Sequence, residues 1–314
     1  MNPLKICILA LAAAGSIQAA EIKLEGRVLF LGDSITHAGQ FVSVIETRLR
    51  QDGADPLPEL INLGLPSETC TGLSEPDHPF PRPNVHERID RALTMVNPDI
   101  VFACYGMNDG IYYPFSEDRF KAYQAGIEKI IEKVKAADAK LILMTPPPFD
   151  PVPLREKGKL LPAGAEKYAW FEIYEDYDSV LAKYSEWILT LRENENEDVD
   201  LVIDTRTPVL KAVVEARKTD PAFTLSNDGV HLNEQGHRIM AGGILSALGF
   251  ENEAEVVRDS VFQKVNARQQ LLHSAWLSHV GHKRPQTKAG PSLDEAVVKA
   301  AEIEIEIKKA LEAN

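Results

Sequence analysis

The chain has 314 residues, 44% of them apolar and 26% charged, with a formal net charge of −13. That length and balance can bury a full core and exclude disordered and collagen-like classes. The acidic excess speaks against a nucleic-acid partner, because a phosphate backbone needs a basic face, and it disfavours polyanionic substrates such as pectate or heparin.

Residues 1–20 read as a signal peptide. Lys5 supplies a positive start, residues 6–14 form an apolar run too short to span a bilayer, and small residues follow to Ala19 and Ala20. Cleavage after Ala19 puts Ile17 at −3, and cleavage after Ala20 puts Gln18 there. Cys7 has no lipoprotein-type box, so no lipid anchor is expected. The expected location is secreted or periplasmic, without stable membrane insertion. Two cysteines remain, Cys70 and Cys104. Export permits a disulfide between them, while the apolar setting of Cys104 suits a free, buried thiol.

Short apolar strands then alternate with helical stretches. Strands are predicted at 27–31, 60–63, 99–105, 141–145 and 201–203, and helices at 41–49, 85–96, 120–136, 170–191 and 234–248. Near-continuous apolar strands separated by helices indicate a parallel sheet covered on both faces. The expected fold is α/β, a three-layer α/β/α sandwich around a five-stranded parallel sheet, doubly wound over residues 21–250. Ligands in such sheets bind beyond the carboxyl ends of the strands.

Two regions fall outside this alternation. Residues 149–169, rich in Pro, Gly and Lys, read as a surface excursion that could overhang a site. Residues 251–314 read as a C-terminal helical extension. One helix carries the stripe Val257, Val261, Val265, Leu272 and Trp276. Ser292 and Glu295 form a capping-box signature for a second, with the stripe Leu293, Val297, Ala300, Ile303, Ile307 and Leu311. Amphipathic helices mostly face their own core; the alternative is a seam between two copies in a homo-oligomer.

Four segments carry chemistry. Gly32-Asp33-Ser34-Ile35-Thr36 closes the first strand and offers a serine, which needs a base before it can act as a nucleophile. Asn62-Leu63-Gly64 closes the second, where a glycine lets a backbone N–H approach an oxyanion. Gly106-Met107-Asn108-Asp109 closes the third, and the Asn108 amide could stabilise developing negative charge. Asp228-Gly229-Val230-His231 precedes the closing helix, with a spacing that lets a carboxylate hold an imidazole. Each segment alone also suits an ordinary helix cap or turn.

Together and in this order, the four segments resemble the blocks of the SGNH (GDSL) hydrolase superfamily, with Ser34, Gly64, Asn108 and His231 at its four name-giving positions. The resemblance covers residues 27–250 and leaves out the tail. It implies a flavodoxin-like sandwich and ester hydrolysis without a metal or organic cofactor. It also implies that Ser34 is the nucleophile, His231 the base and Asp228 its orienting carboxylate. The oxyanion hole would be the Ser34 and Gly64 N–H groups and the Asn108 side chain. The Gly-Asp-Ser-Ile-Thr form resembles the acetylesterase side of the superfamily. The expected partner is thus a small-molecule or polysaccharide ester, with acetyl groups on carbohydrate as the expected substrate. A lipase, lysophospholipase or thioesterase is the alternative within enzymes, and a non-catalytic binding module the alternative outside them. Tyr112 and Tyr113, past a strand end, could stack on a sugar ring, and His37 could line the pocket. Metal binding by His273, His279 and His282 is disfavoured, since no carboxylate or Cys with ligand spacing accompanies them.

Overall fold

The computed structural model describes residues 22–193, 198–250 and 257–313. The assigned signal peptide at 1–20 lies outside the described residues, as does the junction near Glu251. Among the described residues, no helix is long and apolar enough to cross a membrane.

Five strands form the central sheet: β1 (Arg27–Gly32), β2 (Glu59–Asn62), β3 (Ile100–Cys104), β4 (Lys140–Met144) and the last strand, Leu201–Ile203. They run parallel in the order β2-β1-β3-β4-last. Every residue of β3 is buried, as the continuous apolar run requires of a strand covered on both faces. The helices supply the two outer layers, giving the expected sandwich. The chain leaves β1 toward β2, then crosses to β3 on the other side. Such a reversal opens a crevice beyond the carboxyl ends of β1 and β3.

Around this sheet run α1 (Ser34–Ala38), α2 (Gln40–Gln51), α3 (Ile89–Val96), α4 (Glu117–Ala136) and the short α5 (Val152–Arg155). Then come α6 (Tyr177–Glu193), α7 (Arg206–Ala216) and α8 (Glu234–Ala247). Besides the short α1 and α5, which had no predicted counterpart, three differ from expectation. The helix predicted over 85–96 is a 3₁₀ turn, Val85–Glu87, followed by α3. The break falls at Arg88, whose buried guanidinium turns away to Glu68 (2.6 and 2.7 Å) and the Leu63 carbonyl (2.7 Å). The helix predicted from 170 starts at Tyr177. Before it, β6 (Ile173–Tyr174) pairs with β5 (Leu160–Leu161) in a small sheet, so the excursion predicted over 149–169 runs on to Tyr174 and Leu201–Ile203 is β7. Helix α7 had no predicted counterpart. Its Pro208 falls in the first turn, where a missing N–H is harmless.

The extension forms α9 (Asp259–Val280) and α10 (Leu293–Glu312), the latter with the expected capping box. Gln269 Nε2 donates to the Leu60 carbonyl (3.1 Å), and His273 Nε2 lies 3.0 Å from the Gly64 carbonyl. Thus α9 is laid along β2, an edge strand that would otherwise offer unpaired groups. Arg50 of α2 ties α10 down through a two-point contact with Glu304 (2.7 and 2.8 Å). The extension therefore faces its own sandwich. Val297, placed on the inward stripe from the sequence, is 54% exposed, because Ala296 and Ala300 carry that face.

Cys70 and Cys104 are free and buried, so no disulfide joins them. The Cys104 thiol rests 3.6 Å from the Thr145 carbonyl.

Candidate active site

The segments that close β1 and β3 and the one before the closing helix converge on one crevice. Asp33 caps α1 by accepting from the Ile35 N–H (2.9 Å), which sets Ser34 at the first helical position. Burial pushes the Asp33 carboxyl up to about 7, against the pull of that hydrogen bond. An N–H at the first position has no partner within a helix, so that of Ser34 is left to face a ligand.

Asp228 organises the opposite wall. One carboxylate oxygen accepts from the backbone N–H groups of His231 (2.8 Å) and Val230 (3.0 Å) and from the Ser226 hydroxyl (3.3 Å). The other lies 2.7 Å from His231 Nδ1. The chain can fold back this tightly because Gly229 sits at φ 78°, with a side-chain position only 2.6 Å from the Asp150 carbonyl. His231 Nε2 then lies 2.7 Å from Ser34 Oγ, across 197 residues of sequence. Ser34, His231 and Asp228 thus stand in a serine–imidazole–carboxylate relay.

The electrostatics follow. Burial alone would raise the Asp228 carboxyl, but the hydrogen bonds and charge of His231 outweigh it and hold the group well below the carboxylate range. Burial alone would depress His231, and the Asp228 hydrogen bond and charge reverse the sign, raising the imidazole above its ordinary value.

Asn108 is buried at the crevice floor and its orientation is forced. Its Nδ2 faces the Glu68 carbonyl (3.1 Å), which can only accept, so its Oδ1 must be the atom receiving the Tyr112 hydroxyl (2.9 Å). One amide N–H remains for the crevice. Asp109, beside it, accepts from the Cys70 and Thr71 N–H groups (2.8 and 3.0 Å) and so pins the loop after β2 against the loop after β3.

Gly64 does not stand where the sequence put it. Its N–H donates to Asn62 Oδ1 (2.8 Å) in the interior, and it does not line the crevice. The glycine is required for packing: a Cβ there would lie 2.2 Å from the His37 backbone nitrogen. The backbone that does reach the crevice comes three residues later. Leu65 to Glu68 form a turn closed by the Glu68 N–H on the Leu65 carbonyl (3.2 Å), with Ser67 at φ 66°. Proline fixes the preceding φ near −65°, so Pro66-Ser67 is the centre of a type II turn. Ser67 lines the crevice, and among the described residues its N–H has no acceptor. The signal was in the sequence as Pro66-Ser67, but serine in place of the usual glycine hid it.

The crevice encloses a cavity of about 370 Å³. Its aromatic lining includes Trp170 and Phe171 from the excursion, with Trp170 51% exposed, and Phe80. Trp170 and Phe171 both lie where the sequence predicts a helix. Tyr112 and Tyr113, the expected sugar platform, are used otherwise. Tyr112 is buried and holds Asn108, while Tyr113 packs on Tyr168. His37 rests on His273 and the Gly64 carbonyl, away from the cavity.

Residues 30–239 match the model of the GDSL-like lipase/acylhydrolase family. No curated protein matches the sequence. Among solved structures, the fold is similar to a gut microbial diltiazem-metabolizing enzyme, BT4096, at 21% identity and a TM-score of 0.55, covering 74% of this chain and 49% of that one. This chain thus spans about half of that enzyme. It is also similar to the acetyl xylan esterase AlAXEase, at 23% identity and a TM-score of 0.52, covering 70% of this chain and 98% of that one. A third similar fold is the acetylxylan esterase Axe2 from Geobacillus stearothermophilus, at 23% identity and a TM-score of 0.51, covering 73% and 98%.

Proposed function

The chain belongs to the GDSL-like lipase/acylhydrolase family, whose chemistry is ester hydrolysis, and from that premise we propose that it is an exported serine esterase removing short acyl groups, chiefly acetyl, from carbohydrate. The observation that carries the reading is the unbroken relay from Asp228 through His231 to Ser34 Oγ, at 2.7 Å for each step.

The mechanism follows from the donors and acceptors in place. His231 Nε2 takes the hydroxyl proton as Ser34 Oγ bonds to the ester carbonyl carbon. The oxygen that gains charge is met by the Ser34 N–H, the Ser67 N–H and the free N–H of Asn108. Ser67 takes the part that Gly64 was expected to play. The imidazolium returns its proton to the departing alcohol. Water, deprotonated by the same imidazole, then attacks the acyl-serine and releases the acid.

Substrate size and chemistry are read from the cavity. A volume of about 370 Å³ is at the small end of ligand pockets. Lys159 and Arg284 line it, and a long acyl chain would have to strip water from those charges. Exposed Trp170 at its wall suits the apolar face of a sugar ring. Two proteins of similar fold are acetylxylan esterases, and a leader, as read from the sequence at 1–20, would suit a polymer found outside the cell. A nitrophenyl series tests the acyl side: acetate should be hydrolysed faster than octanoate, and palmitate hardly at all. Acetate release from a panel of acetylated polysaccharides tests the alcohol side. A preference for palmitate, or no acetate release from any saccharide, would overturn the reading.

The oxyanion assignment has its own expected result. Asn108→Ala should lower kcat about 10²–10³-fold with little change in KM, because the lost hydrogen bond matters most once charge has developed. Stopped-flow acylation with nitrophenyl acetate measures this directly. A loss below about fivefold would remove Asn108 from the oxyanion site.

A further inference from the structure

Beside residues 78–82, two segments outside the four sequence blocks wall the cavity: the excursion after β4, and the loop joining α9 to α10. The second lies beyond residues 30–239, so the family match says nothing of it. It is a built wall. Arg91 grips its start through the Val280 and Gly281 carbonyls (3.0 and 3.2 Å). Its end is seated by the Gly290 N–H on Ser278 Oγ (2.7 Å).

From this loop Arg284 enters the cavity. Its Nε donates to the Pro66 carbonyl (2.9 Å), and its Nη1 to the Pro285 carbonyl (3.1 Å) and Thr287 Oγ1 (3.2 Å). Every acceptor is neutral. Among the described residues Arg284 has no carboxylate partner, and its Nη2 makes no hydrogen bond. Lys159, on the excursion, likewise makes no ion pair among the described residues. Arg82 differs, because buried Glu75 neutralises it at two points (2.6 and 2.7 Å). The chain carries a net charge of −13, yet its cavity is lined by two cations, Arg284 over the Phe80 ring and Lys159, that have no carboxylate partner among the described residues. Pro66, which anchors Arg284, is the residue before Ser67, and Arg284 lines the same cavity as Ser34 and His231.

We propose that Arg284, supported by Lys159, forms a subsite for a carboxylate on the substrate. The preferred ester is then an acylated uronic-acid-containing saccharide, and the C-terminal extension sets this specificity. The inference rests on the esterase reading above. A guanidinium with free N–H groups suits a carboxylate better than an ammonium does, since it can donate in a fixed plane. The sugar ring would lie against Trp170 while its carboxylate meets Arg284.

The test compares kcat/KM on an acetylated glucuronic-acid oligosaccharide with that on its carboxyl-reduced counterpart. The native enzyme should prefer the acidic form about tenfold or more, mostly through KM. Arg284→Gln should bring the ratio toward one, and Arg284→Lys should restore part of it. A second measurement needs no variant: glucuronate should inhibit nitrophenyl acetate hydrolysis competitively at concentrations where glucose does not. A native ratio near one, a ratio kept in Arg284→Gln, or equal inhibition by the two sugars would overturn the subsite. Nitrophenyl acetate separates the two levels. If it is turned over without any acid preference, only the subsite fails. If nothing is hydrolysed, the esterase reading fails and takes the subsite with it.

Discussion

Ser34→Ala should lower kcat for nitrophenyl acetate by about 10⁵–10⁶-fold, with labelling by a fluorophosphonate probe lost at the same time. The magnitude follows from how such relays behave: removing the nucleophile leaves only binding and oxyanion stabilisation, whatever the remaining members do. The fold should be indifferent. Ser34 is the first residue of α1, and the cap is made by Asp33, so alanine keeps the helix and its start. The expected change in stability is within about 0.5 kcal/mol, the usual range for a substitution that breaks no cap, core or network. Thermal unfolding beside the activity assay therefore separates chemistry from folding. Residual activity above about one per cent, or a label retained on another residue, would show that a different nucleophile is at work.

The site was legible in the sequence to different depths, for physical reasons. Ser34, Asn108 and the Asp228–His231 pair could be read because their chemistry needs those side chains at strand ends and at a three-residue spacing. The strands could be read because burial on both faces demands continuous apolar runs. Gly64 misled, because a glycine beside a strand end satisfies two needs that look alike from sequence. It either lets a ligand approach the backbone or lets another element pack there. Here the second holds, with α1 occupying the space. Ser67 was hidden because a left-handed serine is uncommon and nothing in its neighbours announces it except Pro66. Trp170 and Phe171 were misread as helix because an apolar pair has no period of its own; the pairing of β5 with β6 decides their place. The cavity's positive wall was beyond any local reading. It is assembled from Lys159 and Arg284, 125 positions apart, in a chain whose overall charge points the other way.

Asp228→Asn should lower kcat about 10⁴-fold and should move the pH profile as well. The shape of the turn survives, since an amide oxygen can still accept from the Val230 and His231 N–H groups. The atom facing His231 Nδ1 then becomes an NH₂, a donor where an acceptor stood. The imidazole answers by placing its lone pair on Nδ1 and its proton on Nε2, and Ser34 loses its base. The pH dependence has a definite sign. The base works only when neutral, so activity falls as pH drops through the imidazole's value. In the native enzyme the Asp228 hydrogen bond and charge overcome the depressing effect of burial and raise the imidazole from its ordinary value, so that acid limb should be raised with it. In Asp228→Asn burial acts with only the Asp33 charge against it, so the limb of the residual activity should shift to lower pH. Profiles of kcat/KM on nitrophenyl acetate, taken for both proteins across about pH 5 to 9, measure the two effects together. A loss under about tenfold with an unmoved limb would reduce Asp228 to a turn residue and leave His231 to act alone.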